Sequence, residues 1–320
     1  MEALENLSEE HLKAHFCFES VDRVSADPEI TAFKRRSRLK QALWREKMKL
    51  PIGSQPMRVK NGKESRPLGS RIELESARRS GANFLNEAIR CAVVDRLEKP
   101  QPHQMLNEDR LFCDLLSSMP MCFNLFGSLQ ADLERANRAV HTWWPDVPGR
   151  VNEVLFEWSP RRSLPGRYLE NRSAFDVAFK LELEDGGHGI MGVETKYHED
   201  CKAEKIPNDG RSKRYIEVTN KSGLFSMNAL KSILGTDLQQ IWLDHLLALS
   251  MLQDRTLQWE WANFVIVYPA KNPSYARAIR HYKSLLNDVT TFRVSTIESL
   301  LAANVLPEKV MSDFSDRYLW

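Results

Sequence analysis

The sequence predicts an α/β fold with a largely helical N-terminal region. Two observations predict it. Short apolar or alternating segments at 151–158, 175–184, 189–197, 264–268 and 290–294 read as strands, and helical patterns at 107–134, 236–252 and 275–286 fall between and before them. Residues 1–100, by contrast, read as helices joined by loops. With 320 residues, 42% hydrophobic and 28% charged, the chain can bury one large core or two modest ones. We place a division at 104/105, separating a helical region (1–104) from the strand-bearing core (105–320).

In the first region Lys34, Arg35, Arg36, Arg38, Lys40, Arg45, Lys47 and Lys49 fall on one helical pattern, with Glu46 the only acid among them. Two readings stand: a helix that tracks phosphates, or the solvated face of a packed helix. Pro51-Ile52-Gly53-Ser54 should end it. Residues 60–67 read as a polar loop; Gly69 and Arg71 could meet a phosphate, but read first as a turn glycine and a surface arginine. A helix is expected over 72–97, carrying Phe84, Leu85, Ile89, Ala92, Val93 and Leu97 on a partial stripe.

A helix over 107–134 should break near Pro120. Met119, Met121, Cys122, Phe123, Leu125 and Phe126 read as core, and Glu108 as a helix N-terminal acid that could also reach a metal. Trp143-Trp144-Pro145 reads as a packing cluster.

The strands from 151 to 197 carry the chemistry. In a strand, side chains alternate between faces. Phe175, Val177, Phe179, Leu181 and Leu183 form a greasy row, and Asp176, Ala178, Lys180, Glu182 and Glu184 a polar one. In the next strand Ile190, Gly192, Glu194 and Lys196 share a face. A three-residue loop at 185–187, with glycine in a left-handed position, would set Asp176 opposite Lys196 and diagonal to Glu194. Diagonal neighbours lie about 7–8 Å apart, close enough for two carboxylates to grip one ion. The preceding strand offers Val154, Phe156 and Trp158 on its apolar face, and Glu153, Leu155 and Glu157 on the other.

Hard divalent ions prefer carboxylate and carbonyl oxygens. Asp176 and Glu194 would supply carboxylates, and the Thr195 carbonyl a third ligand. Such a metal would acidify a bound water and neutralise charge on a phosphate. Lys196 on the same face would stabilise a pentavalent transition state electrostatically, in its charged form.

Phe175-Asp176 with Glu194-Thr195-Lys196 resembles the motif of the PD-(D/E)XK nuclease superfamily, with Phe175 where the motif has proline. Further stretches, Phe156-Glu157-Trp158-Ser159-Pro160, the run from Ser117 to Phe126, and Trp242-Leu243-Asp244-His245, are similar to a bacterial group of restriction-type endonucleases within it. The resemblance implies a restriction-endonuclease-like three-layer α/β/α core with a mixed central sheet. It also implies Mg²⁺ dependence with Mn²⁺ as a substitute, and cleavage of DNA. It makes Glu157 a further catalytic acid, with Glu153 as fallback. In this reading 1–104 is an extension that contacts DNA or packs on the nuclease core, and a homodimer is conceivable. The alternative is a catalytically idle module on the same fold that binds nucleic acid or a protein.

The polar stretch from His198 to Gly223 reads as a substrate-contacting segment or a solvated loop. His198, Lys213 and Arg214 are its candidate contacts, and His198 is equally a structural histidine. Thr236, three residues before Gln239, has capping-box spacing for the next helix. Leu238, Ile241, Trp242, His245, Leu246 and Leu249 form the stripe that should pack on the sheet. Gln240, or Gln239, could reach the site. Five scattered cysteines without a CxxC pair indicate neither zinc nor a disulfide framework. No apolar run approaches membrane-spanning length, and the acidic start lacks a signal-peptide core. A reducing cytoplasm is the expected setting.

Overall fold

The computed structural model describes residues 2–55, 65–101, 104, 106–160, 167–206, 210–256 and 259–320. Most of the 60–67 loop therefore lies outside the described residues. The N-terminal part runs α1 (Glu2–Glu5), α2 (Glu9–Ala14), α3 (Pro28–Lys47), β1 (Ile52–Ser54), β2 (Pro67–Ile72), α4 (Leu74–Ser80) and α5 (Glu87–Glu98). Helix α3 begins with Pro28, behind an Asp27 cap that accepts from the Glu29 and Ile30 N–H groups.

Four expectations change here. The segment after α3 does more than break a helix: β1 pairs antiparallel with β2. Gly69 is needed in β2, where a Cβ would stand 2.0 Å from the His15 carbonyl oxygen and Arg45 Nε donates to the Gly69 carbonyl (2.8 Å). Arg71 is buried rather than on the surface, and is paired with Asp109 at 2.5 Å. The helix expected over 72–97 is two helices, because Gly81 closes α4 in a left-handed conformation (φ +61°) and Asn86 caps α5.

The chain continues through α6 (Glu108–Cys113), α7 (Ser118–Gln130) and α8 (Leu133–Trp143). The break falls at 114–117, not at Pro120. Pro120 sits in the first turn of α7, where a missing N–H costs nothing. Met121, Cys122, Phe123, Leu125 and Phe126 are core, as expected.

Then come β3 (Arg150–Trp158), β4 (Phe175–Glu182), β5 (His188–Thr195), α9 (Arg211–Ser222), α10 (Ala229–Ile233), α11 (Gln239–Leu252), β6 (Trp259–Tyr268), α12 (Pro273–Ser284), β7 (Phe292–Thr296), α13 (Ile297–Ala302) and α14 (Glu308–Tyr318). The main sheet has the order β3-β4-β5-β6-β7, antiparallel up to β5 and parallel beyond it. One face is covered by α7, α8 and α14 over Val154, Phe156, Val177, Phe179, Val193, Val265 and Val267. The other is covered by α9, α11 and α12 over Ala178, Ile190, Phe264 and Ile266. This is a mixed sheet between two helical layers.

Two details at the β3–β4–β5 edge differ from simple alternation. Glu157, the next-to-last residue of β3, has φ +47°, a left-handed conformation that interrupts the period-two row. Beyond it, Trp158 leaves the Phe156 row and stacks with Phe175, ring centroids 6.4 Å apart. Phe175 likewise belongs to the second core, not to the row of Val177 and Phe179. Its ring lies over Gly192, where a Cβ would come within 2.3 Å. Thr236 does not cap α11; its hydroxyl donates to the Ser232 and Ile233 carbonyls, and α11 starts without a side-chain cap.

Candidate active site

The site is set by the β4–β5 hairpin. Its loop has three residues, but they are 184–186 rather than 185–187. Gly186 takes the left-handed position (φ +83°). Its N–H bonds to the Leu183 carbonyl at 3.0 Å, and the Leu183 N–H to the Gly187 carbonyl at 2.9 Å. Sliding the loop by one residue moves the register by two. Glu182 faces His188 and Val177 faces Val193, so the next position brings Asp176 against Glu194, not Lys196. Both carboxylates thus come to one end of two neighbouring strands, closer than a diagonal pair.

Asp176 is fixed through one oxygen. Its Oδ2 accepts from the Thr195 N–H (2.8 Å) and the Thr195 hydroxyl (2.7 Å), while Oδ1 takes no hydrogen bond among the described residues. Glu194 Oε1 accepts from Lys196 Nζ at 2.7 Å. The Lys196 N–H donates to the Val267 carbonyl (2.8 Å), carrying the β5–β6 pairing one residue further. Thr195 is fully buried, and Glu194 and Lys196 keep only 9% and 8% exposure.

Burial shapes the charges. It pushes the Asp176 carboxyl up against the opposing pull of Lys196 and Thr195. It pushes Glu194 up well beyond the usual range, helped by Asp176. Burial also works against the Lys196 ammonium, but Glu194, Tyr275, Asp244 and Glu199 outweigh it and hold that pKa above its ordinary value. Lys196 is therefore a cation at neutral pH.

These residues open into a cavity of about 680 Å³. Glu157, His198 and Gln240 line it as well, together with Lys34, Asn107, Arg110, Glu199, Asp200, Lys202, Glu204 and Tyr275. The structure thus gathers Asp176, Glu194, Lys196, Glu157, His198 and Gln240. It places others elsewhere. Lys213 is an exposed residue of α9, and Arg214 donates to the Tyr168 carbonyl (2.6 Å) and pairs with Glu217; neither lines the cavity. Much of the supposed loop that carried them is helix α9. Glu153 pairs with Lys180 at 2.6 Å and Glu108 with Arg78 at 3.0 Å, both away from the cavity lining. Burial lowers the pKa of His198, whose Nδ1 lies 3.2 Å from the Leu116 carbonyl.

Asp244 escaped the sequence reading. It lies on α11, one helical turn after Gln240, and burial raises its pKa to about 7 against the pull of Lys196, with Asp176 and Glu204 adding to the rise. The i, i+4 spacing from Gln240 was the available signal.

The sequence model of the PD-(D/E)XK nuclease superfamily matches residues 26–320. The chain belongs to this superfamily. No curated protein and no solved structure matches it. Membership in this nuclease superfamily points to nuclease chemistry, which commonly uses a divalent metal. The donor set fits such an ion. Six carboxylates and four cations line the cavity, and Asp176 and Glu194 each have one oxygen clear of the hydrogen bonds described above. Among the described residues no three His, Cys, Asp or Glu side chains form a ready cage.

Among the described residues no helix is long and apolar enough to cross a membrane.

Proposed function

We propose that this chain is a Mg²⁺-dependent endonuclease that hydrolyses phosphodiester bonds in DNA, with Mn²⁺ able to substitute, acting in the cytoplasm in restriction or phage defence. The observation that supports it most is the meeting of Asp176, Glu194 and the charged Lys196 at one strand end, opening into one cavity. Asp176, Glu194 and the Thr195 carbonyl would hold the metal, and when bound it would supply an acidified water and charge neutralisation at the phosphate. Thr195 orients Asp176 through two hydrogen bonds to a single oxygen. Lys196, kept cationic by its neighbours, stabilises negative charge that builds on the phosphate. Glu157 stands as the further acid, and His198 and Gln240 as groups that touch the substrate. Residues 1–104 are read as an extension packed on the core, which places Lys34 in the cavity wall.

The test is cleavage of plasmid and of single-stranded DNA with Mg²⁺, Mn²⁺ or EDTA, beside Asp176→Ala and Lys196→Ala. Metal-dependent cutting of either substrate, lost in both variants, is expected. No cutting of either in any metal would reject the reading in favour of an idle binding module, and equal cutting by the variants would put the chemistry outside this site.

A further inference from the structure

A second cavity, of about 430 Å³, is lined by Arg38, Ser70, Arg71, Asp109, Asp114 and Leu116. It shares Asn107, Arg110 and His198 with the cavity of the candidate active site. The two therefore meet at these residues. Three guanidinium groups face the second cavity, but two are already answered. Arg38 is bonded to Asp22 and Ser70, and Arg71 to Asp109 and Asp114. Arg110 is different. It is exposed, its Nε donates to the Ser117 hydroxyl at 3.1 Å, and its two terminal nitrogens have no partner among the described residues. A guanidinium anchored at one nitrogen, with its outer edge clear, is preorganised for a phosphate.

From this geometry, and resting on the nuclease reading above, we infer that Arg110 clamps a phosphate next to the scissile one, on a single nucleic-acid strand running from the Asp176–Glu194–Lys196 cavity into the arginine-lined one. The choice of a single strand follows from depth and shape. Glu194 and Lys196 are almost wholly buried, below walls that include Lys34 of α3, Met119 of α7 and Tyr275 of α12. A duplex is a stiff rod with a persistence length of about 150 bp. A lone strand can drop a phosphate to this depth and turn at the Asn107–Arg110–His198 junction.

The experiment is binding of a labelled single-stranded DNA of about eight nucleotides, within the usual span of single-strand sites, to Asp176→Ala protein in EDTA, so that cleavage plays no part. Adding Arg110→Ala should weaken binding several-fold and flatten the dependence of log K on log salt by about 0.7. Arg110→Lys, which keeps the charge, should keep the slope. A duplex of equal length should bind at least tenfold more weakly than the single strand. Unchanged affinity and slope in Arg110→Ala, equal losses in the Ala and Lys variants, or duplex binding as tight as single-strand binding would each overturn the inference. The parent reading fails separately. Wild-type protein that cuts DNA but binds it independently of Arg110 keeps the nuclease and loses the channel. Protein that never cuts yet shows Arg110-dependent binding keeps the channel and loses the nuclease.

Discussion

Asp244 and Glu157 show what single residues add to the Asp…Glu-x-Lys pattern. An aspartate with a folded pKa near 7 holds a proton that the unfolded chain has released by about pH 4. Between those values the folded state binds more protons, so stability contributed by the neutral carboxyl is present at low pH and is lost as pH rises through 7. In EDTA, urea unfolding should therefore show stability falling by on the order of 2 kcal/mol between pH 5 and 8. Asp244→Asn should flatten that fall, and Mg²⁺ should restore more stability at pH 8 than at pH 5.5. A pH profile identical in Asp244→Asn would show that this carboxyl titrates normally. Glu157 raises a different matter, since its left-handed backbone at the end of an edge strand is uncommon for a residue with a Cβ. The sequence marks the acid but not this conformation, because nothing local to Glu157 demands it. The stacking of Trp158 on Phe175 accompanies it.

At the scale of elements, the hairpin register and the Gly192 gap decide the site. The alternation in β4 and β5 was legible, and with a three-residue loop it put Asp176, Glu194 and Lys196 on one face. The register was not, because Gly186 and Gly187 are both able to take a left-handed position and differ by one step of the loop. That step decides which residue faces Asp176. Gly192 has a related role. A methyl there would strike the Phe175 ring and push on the residue next to Asp176. Gly192→Ala should lower stability by about 1–3 kcal/mol, the usual cost of overpacking. It should also reduce cleavage beyond what the folded fraction explains. Phe175→Ala should cost less stability in the Gly192→Ala background than in the wild type, because it removes the clash as well as the buried ring. Thermal melts and specific activity of the single and double variants check this; a neutral Gly192→Ala would contradict it. Helix starts and stops at Gly81, Asn86 and 114–117 were missed for a similar reason, because an apolar stripe continues across a cap while the backbone turns.

Across the whole molecule, much of the positive charge on α3 is paired with acids of the same chain, buried at Lys34 and Arg38 and exposed at Lys47. Lys34 pairs with Asp200 at 2.5 Å, Arg35 with Glu19, Arg36 with Glu5, Arg38 with Asp22, and Lys47 with Asp316. The sequence shows the density of cations but not the acids brought to meet them, Glu5, Glu19 and Asp22 from just before the helix and Asp200 and Asp316 from much later in the chain. The family match beginning at residue 26 takes in α3. Arg317 of α14 joins these ends. It is fully buried, reaches Gln41 and Asn83, and lies between the Trp44 and Tyr318 rings at 4.3 and 4.6 Å. Gln41 in turn donates to the Tyr197 hydroxyl at 2.9 Å, one residue beyond Lys196. Arg317→Ala leaves those acceptors unpaired and opens a cavity, so urea unfolding should show a loss of about 3 kcal/mol or more. Breaking the exposed Lys47–Asp316 pair should cost under about 1 kcal/mol.

The most direct test of the central claim separates metal binding from cleavage at the two key positions. Mg²⁺ binding by calorimetry and single-turnover DNA cleavage would be measured on wild type, Asp176→Asn and Lys196→Met. The account predicts that Asp176→Asn loses both, whereas Lys196→Met still binds Mg²⁺ but cuts at least a hundredfold more slowly, in line with removal of an electrostatic stabiliser. Wild-type rates in Lys196→Met, or Mg²⁺ binding and cleavage undiminished in Asp176→Asn, would contradict it.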